Sequence, residues 1–225
     1  MRARSGLLRT GLLLGSIAIM GVLLTPGWEA KAEPKPRLAI LPFLAGGPED
    51  MEKGAVCPVC KGVYRKGNLP PGARDALTRL LYQKIEARGT FTVVPSEAVD
   101  KAFDPLDRKT VEQKPILSAL QVGKELNADF VFVGFLFRFE ERVGSRMGVE
   151  KPASVAFDLH LFRLRDERIV WMGKFDETQR PLSEDMTKIG SFFRRGAQWL
   201  TAEELAGAGM EDMLKKLPAA TELEN

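Results

Sequence analysis

The chain has 225 residues, 44% of them hydrophobic and 28% charged, which excludes collagen-like, low-complexity and wholly disordered classes and fits one domain, two at most. Its 33 Lys and Arg against 30 Asp and Glu give a formal charge of +3. Arg2, Arg4, Arg9 and Lys31 lie in a leader whose sole acid is Glu29, so the remainder is neutral and offers no charge argument for nucleic-acid binding. One His and two Cys leave little for hydrolytic chemistry, so no catalytic or cofactor-binding residue is assigned and no enzymatic activity is expected.

The leader reads as a signal peptide over residues 1–32. Three arginines precede Gly11 to Leu24, an uncharged run that as a helix would reach only about 21 Å, short of a hydrocarbon core of about 30 Å. Ala30-Lys31-Ala32 supplies a small-x-small cleavage pattern before Glu33. A periplasmic or secreted protein is expected; the alternative is an uncleaved inner-membrane anchor, since the uncharged window from Thr10 to Trp28 is nearly long enough to span.

After a linker over residues 33–36, Arg37 to Phe43 is short, apolar and bounded by prolines, as a buried first strand would be. Residues 45–71 hold both cysteines among many glycines and prolines without a sustained period, and are expected to form a long loop. From Gly72 to Arg88 apolar residues recur at helical spacing, and Gly89 ends the helix. Phe91 to Val94 is a second strand, and Ser96 to Phe103 a short helix. Pro115 opens another helix, with Leu117 and Leu120 facing inward and Asn127 as a left-handed terminator.

Asp129 to Arg142 alternates with period two, placing Val131, Val133, Phe135, Phe137 and Phe139 on one face and Arg138, Glu140 and Arg142 on the other. Ser154 to Arg165 and Ile169 to Thr178 complete an antiparallel meander through the tight connection Arg165 to Arg168. Met186 to Arg195 fits an amphipathic helix, in which Lys188, Arg194 and Arg195 beside Phe192, Phe193 and Trp199 are compatible with peripheral membrane contact. Thr201 and Glu204 form a capping box for the last helix, and residues 218–225 are expected to fray. This order predicts an α+β fold: a mixed sheet of about five strands, β-α-β-α-α-β-β-β-α-α, with helices packed mainly on one face.

Cys57-Pro58-Val59-Cys60-Lys61-Gly62 is the sharpest chemical feature. Two thiols three positions apart can close a small disulfide or form half of a tetrahedral zinc site, and both readings stand at this stage. The zinc reading lacks two ligands, because His160 is distant in sequence; a second subunit or further acids would have to supply them. His160 itself, with Asp158 on the same strand face, reads as a solvated or hydrogen-bonded residue of a sheet surface. Haem attachment expects a His where Lys61 stands, and a thioredoxin-like centre expects a helix opening directly after a strand.

The residues Leu38-Ala39-Ile40-Leu41-Pro42-Phe43, Phe91-Thr92-Val93-Val94, Gly123 with Ala128-Asp129-Phe130-Val131-Phe132-Val133-Gly134, and Ile169-Val170-Trp171 carry a resemblance. Over residues 37–217, taken as a single domain, the chain resembles the envelope domain shared by the curli secretion protein CsgG, the N-terminal region of TolB and the penicillin-binding-protein activator LpoB. Two features depart from that pattern: no lipobox Cys ends the leader, and Val143 to Pro152 is too short and polar to line a channel. The resemblance implies an exported, non-catalytic adaptor that binds an envelope protein and leaves a homo-oligomer open. The alternative is a periplasmic redox or metal-binding protein using Cys57 and Cys60, with zinc as the ion.

Overall fold

The computed structural model describes residues 34–47, 49–50, 54–180 and 198–224; the leader, the helix expected over Met186 to Arg195 and Asn225 lie outside the described residues. In chain order the elements are β1 (Arg37–Ile40), β2 (Leu44–Ala45), β3 (Glu49–Asp50), β4 (Gly54–Val56), β5 (Val63–Tyr64), α1 (Ala73–Arg88), β6 (Thr92–Val93), α2 (Ser96–Phe103), α3 (Arg108–Gln113) and α4 (Pro115–Glu125). There follow β7 (Phe130–Glu140), β8 (Val143–Gly144), β9 (Val149–Lys151), β10 (Ser154–Arg163), β11 (Arg168–Thr178), α5 (Ala202–Leu214) and α6 (Ala220–Leu223).

The main sheet runs β11-β10-β7-β1-β6, and β2 pairs with β7 beyond the end of β1, giving six strands. β1 is parallel to β6 and β7, whereas β7-β10-β11 is the antiparallel meander that the period-two pattern predicts. The fold is therefore α+β with a mixed sheet. β7 is a near-continuous apolar run because both of its faces are covered. On one face α1 and α5 bury Leu77, Leu81, Leu205 and Met210 against Leu38, Ile40, Phe132 and Phe157. On the other, α2 and α4 bury Val99, Ala119 and Val122 with Ala39, Val131 and Val133. Helices thus cover both faces rather than mainly one.

Four local expectations need correction. A β-bulge opposite Ala156/Phe157 leaves Phe137 as the extra residue of β7, so Phe139 joins the cluster under α1 and α5 while Phe137 stays with Val131 and Phe135. Arg138, expected at a wet strand end, is 1% exposed; its guanidinium donates to Ser154 Oγ at 2.6 Å and to the Arg65 carbonyl at 2.7 Å, and pairs with Asp176. Leu117 points outward from α4 at 59% exposure. The C-terminal segment does not fray through residue 224: Leu223 is buried and its carbonyl accepts from Arg163 at 2.8 Å.

Residues 45–71 also contain more order than a loop. β3, β4 and β5 form a small antiparallel sheet, and Ala55, Cys57 and Tyr64 pack into the cluster on the α2/α4 side of the main sheet. Gly134 permits the reverse packing on the opposite face: a Cβ there would lie 2.6 Å from the Phe43 ring. The capping box is present, with Glu204 N–H donating to Thr201 Oγ1 at 3.1 Å and Thr201 N–H to Glu204 Oε2 at 2.8 Å. Thr201→Ala is expected to lower stability by about 1 kcal/mol, read as a shift of the urea midpoint without a change of slope.

Candidate metal centre

The hairpin β4-β5 carries Cys57 and Cys60 at its turn. Cys57 N–H donates to the Gly62 carbonyl at 2.8 Å, and Lys61 N–H returns to the Cys57 carbonyl at 3.1 Å. Lys61 takes φ +58°, the left-handed conformation that lets the chain reverse so tightly. The Val59 and Cys60 amides both point at Cys57 Sγ, each at 3.4 Å. Two donors aimed at one sulfur favour its thiolate form. Gly62 follows because a Cβ there would lie 3.3 Å from Cys60 Sγ and 3.2 Å from both the Tyr64 ring and Lys174 Nζ.

Across the interface, β10 presents Asp158 and His160. Two positions apart on a strand, they share one face, and that face lies under the hairpin turn. Cys57 Sγ is 3.8 Å from His160 Nε2, and Cys60 Sγ is 3.5 Å from Asp158 Oδ2. Tyr64 donates its hydroxyl to Asp158 Oδ2 at 3.2 Å, while its ring stacks on Phe137 with centroids 4.0 Å apart. One donor atom from each of Cys57, Cys60, Asp158 and His160 falls within 4.8 Å of all the others. Tetrahedral ligands at zinc bond lengths stand about 3.4–3.8 Å apart, so two of these pairs are already at that spacing and the widest needs a contraction of about 1 Å.

The structure corrects the sequence reading of His160. It is fully buried, as are Asp158 and Cys57; Cys60 is half-buried. Both thiols are free in this structure, and the two sulfurs approach side chains of β10. His160 and Asp158 stand where the missing second pair of donors could come from, which the sequence reading left to a second subunit or further acids. Sequence reasoning passes over Tyr64 and Lys174, although the D-x-H spacing of a period-two strand together with a Cys-Pro-x-Cys-x-Gly turn is a recognisable signal.

Two atoms in this cluster stand out. Asp158 Oδ1 and His160 Nδ1 are buried with no hydrogen-bond partner, although they lie 3.7 Å apart. Burial pushes the Asp158 carboxyl up to about 6, against bonds from Cys57, Tyr64 and Cys60 that pull it down. Burial pushes His160 down to about 4, and burial with the adjacent Asp158 charge drives the Cys57 thiol far above its ordinary value. At neutral pH the metal-free cluster therefore holds an ionised carboxylate beside a neutral imidazole and a neutral thiol, with the Lys174 charge acting on both Asp158 and His160. A cation bound among these donors would take one ring nitrogen of His160 and a carboxylate oxygen of Asp158, and would lower the thiol.

The sequence matches no family model and no curated protein. Solved structures with a similar chain trace include the LpoB C-terminal domain from Salmonella enterica, at 14% identity and a TM-score of 0.41, covering 67% of this chain and 87% of that one. Others are a PelC dodecamer from Paraburkholderia phytofirmans, at 11% identity and 0.43, covering 80% and 84%, and lipoprotein GNA1162 from Neisseria meningitidis, at 10% and 0.44, covering 72% and 94%. Likeness of this size says nothing of activity or partner. Among the described residues no helix is long and apolar enough to cross a membrane.

The opposed shifts of Asp158 and His160 make a specific pH signature. Asp158, raised from 3.8 to about 6, binds its proton more tightly when folded, so its contribution to stability falls as pH rises through that window. His160, lowered from 6.5 to about 4, contributes stability that is full above 6.5 and lost as pH falls toward 4. In metal-free protein the two nearly cancel between pH 4 and 6. Asp158→Asn removes the first, and urea titrations in chelator are expected to show stability of the variant rising by about 2 kcal/mol from pH 4.5 to 6.5, against a nearly flat wild type.

Proposed function

We propose that this chain is a metal-binding protein in which a single zinc ion, held by Cys57, Cys60, Asp158 and His160, fastens the β4-β5 hairpin to the main sheet. The observation that carries the reading is the convergence of one donor atom from each of Cys57, Cys60, Asp158 and His160 to within 4.8 Å of one another, around a carboxylate and an imidazole that are both fully buried. Two thiolates, an imidazole and a carboxylate form a mixed set of the kind that suits zinc, whereas an all-oxygen set would suit magnesium or calcium. Their formal charge against a divalent cation leaves one excess negative charge, which Lys174 on β11 faces. Four protein ligands, three fully buried and Cys60 half-buried at the turn, would fill a tetrahedral sphere, which is the pattern of a structural ion and not of a catalytic one that keeps a position for water or substrate.

A second reading is that the stapled hairpin serves a binding role, in keeping with the adaptor function that the sequence resemblance implies for an exported envelope protein. A cleft of about 1180 Å³ supports it: Val56, Cys57, Pro58 and Lys61 form one wall, with Phe103 and Val111 among the other lining residues. Partner contact there would leave the ion untouched while depending on it for the shape of the wall. The partner would be an envelope protein, and a photo-crosslinker at Leu106 is expected to form a discrete protein adduct in cells that is lost in a Cys57→Ser variant; equal labelling in both strains would remove the link to the hairpin.

The primary test is metal stoichiometry. Reduced full-length protein dialysed against zinc is expected to retain a single ion per chain, with Cys57→Ser and His160→Ala weakening binding by about 100-fold or more and chelation lowering Tm. Tyr64→Phe, which removes only the bond to Asp158 Oδ2, should cost about tenfold. Metal-to-protein ratios near zero in reduced wild type, or unchanged affinity in His160→Ala, would contradict the proposal.

A further inference from the structure

Resting on the metal reading, we infer that the Cys57-Cys60 pair is a thiol switch: oxidation by a disulfide converts it to an intrachain disulfide, releases the zinc ion and unlatches the hairpin from β10. Unequal access to the two sulfurs argues for this order. Cys60 is half-buried and accessible from the hairpin turn, whereas Cys57 is fully buried behind it and accepts the Val59 and Cys60 amides. An outer thiolate can meet a soluble oxidant, and an inner one positioned three residues away can resolve the product. The two sulfurs lie within 4.8 Å of each other across a tight turn, so closing to the disulfide length of about 2.05 Å needs only local movement of the turn.

The steps balance as follows. Cys60 thiolate attacks one sulfur of a disulfide R–S–S–R, forming Cys60–S–S–R and expelling one thiolate. Cys57 thiolate then attacks Cys60 Sγ, closing the Cys57–Cys60 bond and expelling the second. The two cysteine sulfurs together lose two electrons, the incoming disulfide gains two, and the cation leaves with its charge uncompensated by either sulfur. A disulfide sulfur has no anionic lone pair with which to hold zinc, and Asp158 and His160 alone are too few to retain it.

Release has a structural consequence. Without the cation, a carboxylate and an imidazole stay buried with Asp158 Oδ1 and His160 Nδ1 unpartnered, and the Tyr64–Asp158 bond still ties β5 to β10. Wetting those atoms requires the turn to lift. An exported location, as the leader predicts, would place the pair where disulfide oxidants exist. The reduced, metal-holding form and the disulfide form, which the sequence presents as alternatives, are then two states of one device.

The test uses zinc-loaded wild-type full-length protein titrated with oxidised glutathione. Zinc release is followed with a chromophoric chelator, the disulfide by non-reducing peptide mass analysis, and hairpin opening by hydrogen exchange. We expect zinc and the Cys57–Cys60 disulfide to appear in equal amounts, exchange in residues 54–64 to rise by at least about tenfold with α1 and α5 unchanged, and reductant plus zinc to restore the starting state. Disulfide formation with the ion retained, release of the ion with both thiols intact, or thiols that stay reduced at excess oxidant would each overturn the inference while leaving the metal site standing. Failure of the reduced protein to hold zinc before any oxidant is added would instead remove the metal reading beneath it.

Discussion

A carboxylate and an imidazole lie fully buried on a sheet face they share with Val131, Val133 and Phe135, and each keeps one polar atom unpaired. Burying a polar group without a partner costs about 1–3 kcal/mol in a protein interior, and a charged one costs more. Against a net stability of about 5–15 kcal/mol for a whole domain, such a pair would be an expensive ornament. The surrounding geometry answers that cost. The hairpin turn lowers two sulfurs onto the same two side chains, and Tyr64 fixes the other carboxylate oxygen by reaching back from β5. Phe135 and Val133 of β7 pack beside Asp158 and His160 from the sheet, while the hairpin side supplies the polar neighbours Cys57, Cys60 and Tyr64.

The position of the site in the topology explains how the hairpin is held at all. β3, β4 and β5 are short, and an isolated ribbon of this size is marginal in water. Ala55, Cys57 and Tyr64 give it a small apolar footprint on the sheet next to Phe135 and Phe137. The proposed ion, shared between the turn and β10, would add a cross-link between residues about 100 positions apart in sequence, which is where such links constrain the unfolded chain most. In the proposed reading an ion at this location would serve the architecture and, through the hairpin wall, the cleft beside it.

Much of the frame was readable from periodicity and caps. The helix from Ala73 to Arg88, the left-handed Gly89 and Asn127, and the Thr201–Glu204 box depend on contacts within a few residues, and the meander of β7, β10 and β11 joins strands that follow one another in the chain and each carry their own period, so local pattern was sufficient. The misreadings share a different cause. Phe139 changed faces because a single bulge resets the period-two count. Arg138 lost its expected exposure because residues far along the chain, Arg65, Ser154 and Asp176, converge on its guanidinium. Helix placement on both faces depends on how crossovers run, which spacing along the chain does not encode.

The metal centre shows the same division. Cys57 and Cys60 announce themselves because their spacing is local, and Asp158 and His160 share a face by strand geometry alone. What no local pattern contains is the packing of the β4-β5 turn onto β10, which brings two weak signals together in one cluster of four potential donors. His160 was therefore read as a surface residue, although its alternation with Leu159 and Leu161 placed it on a face that the hairpin covers.

X-ray absorption at the zinc edge of reduced, metal-loaded protein tests the central claim most directly. The account predicts one ion bound by two sulfurs at about 2.3 Å and two nitrogen or oxygen donors at about 2.0 Å, with an imidazole scattering signature. A shell of four sulfurs, which would mean two chains sharing an ion through their turns, or a shell without sulfur would contradict it.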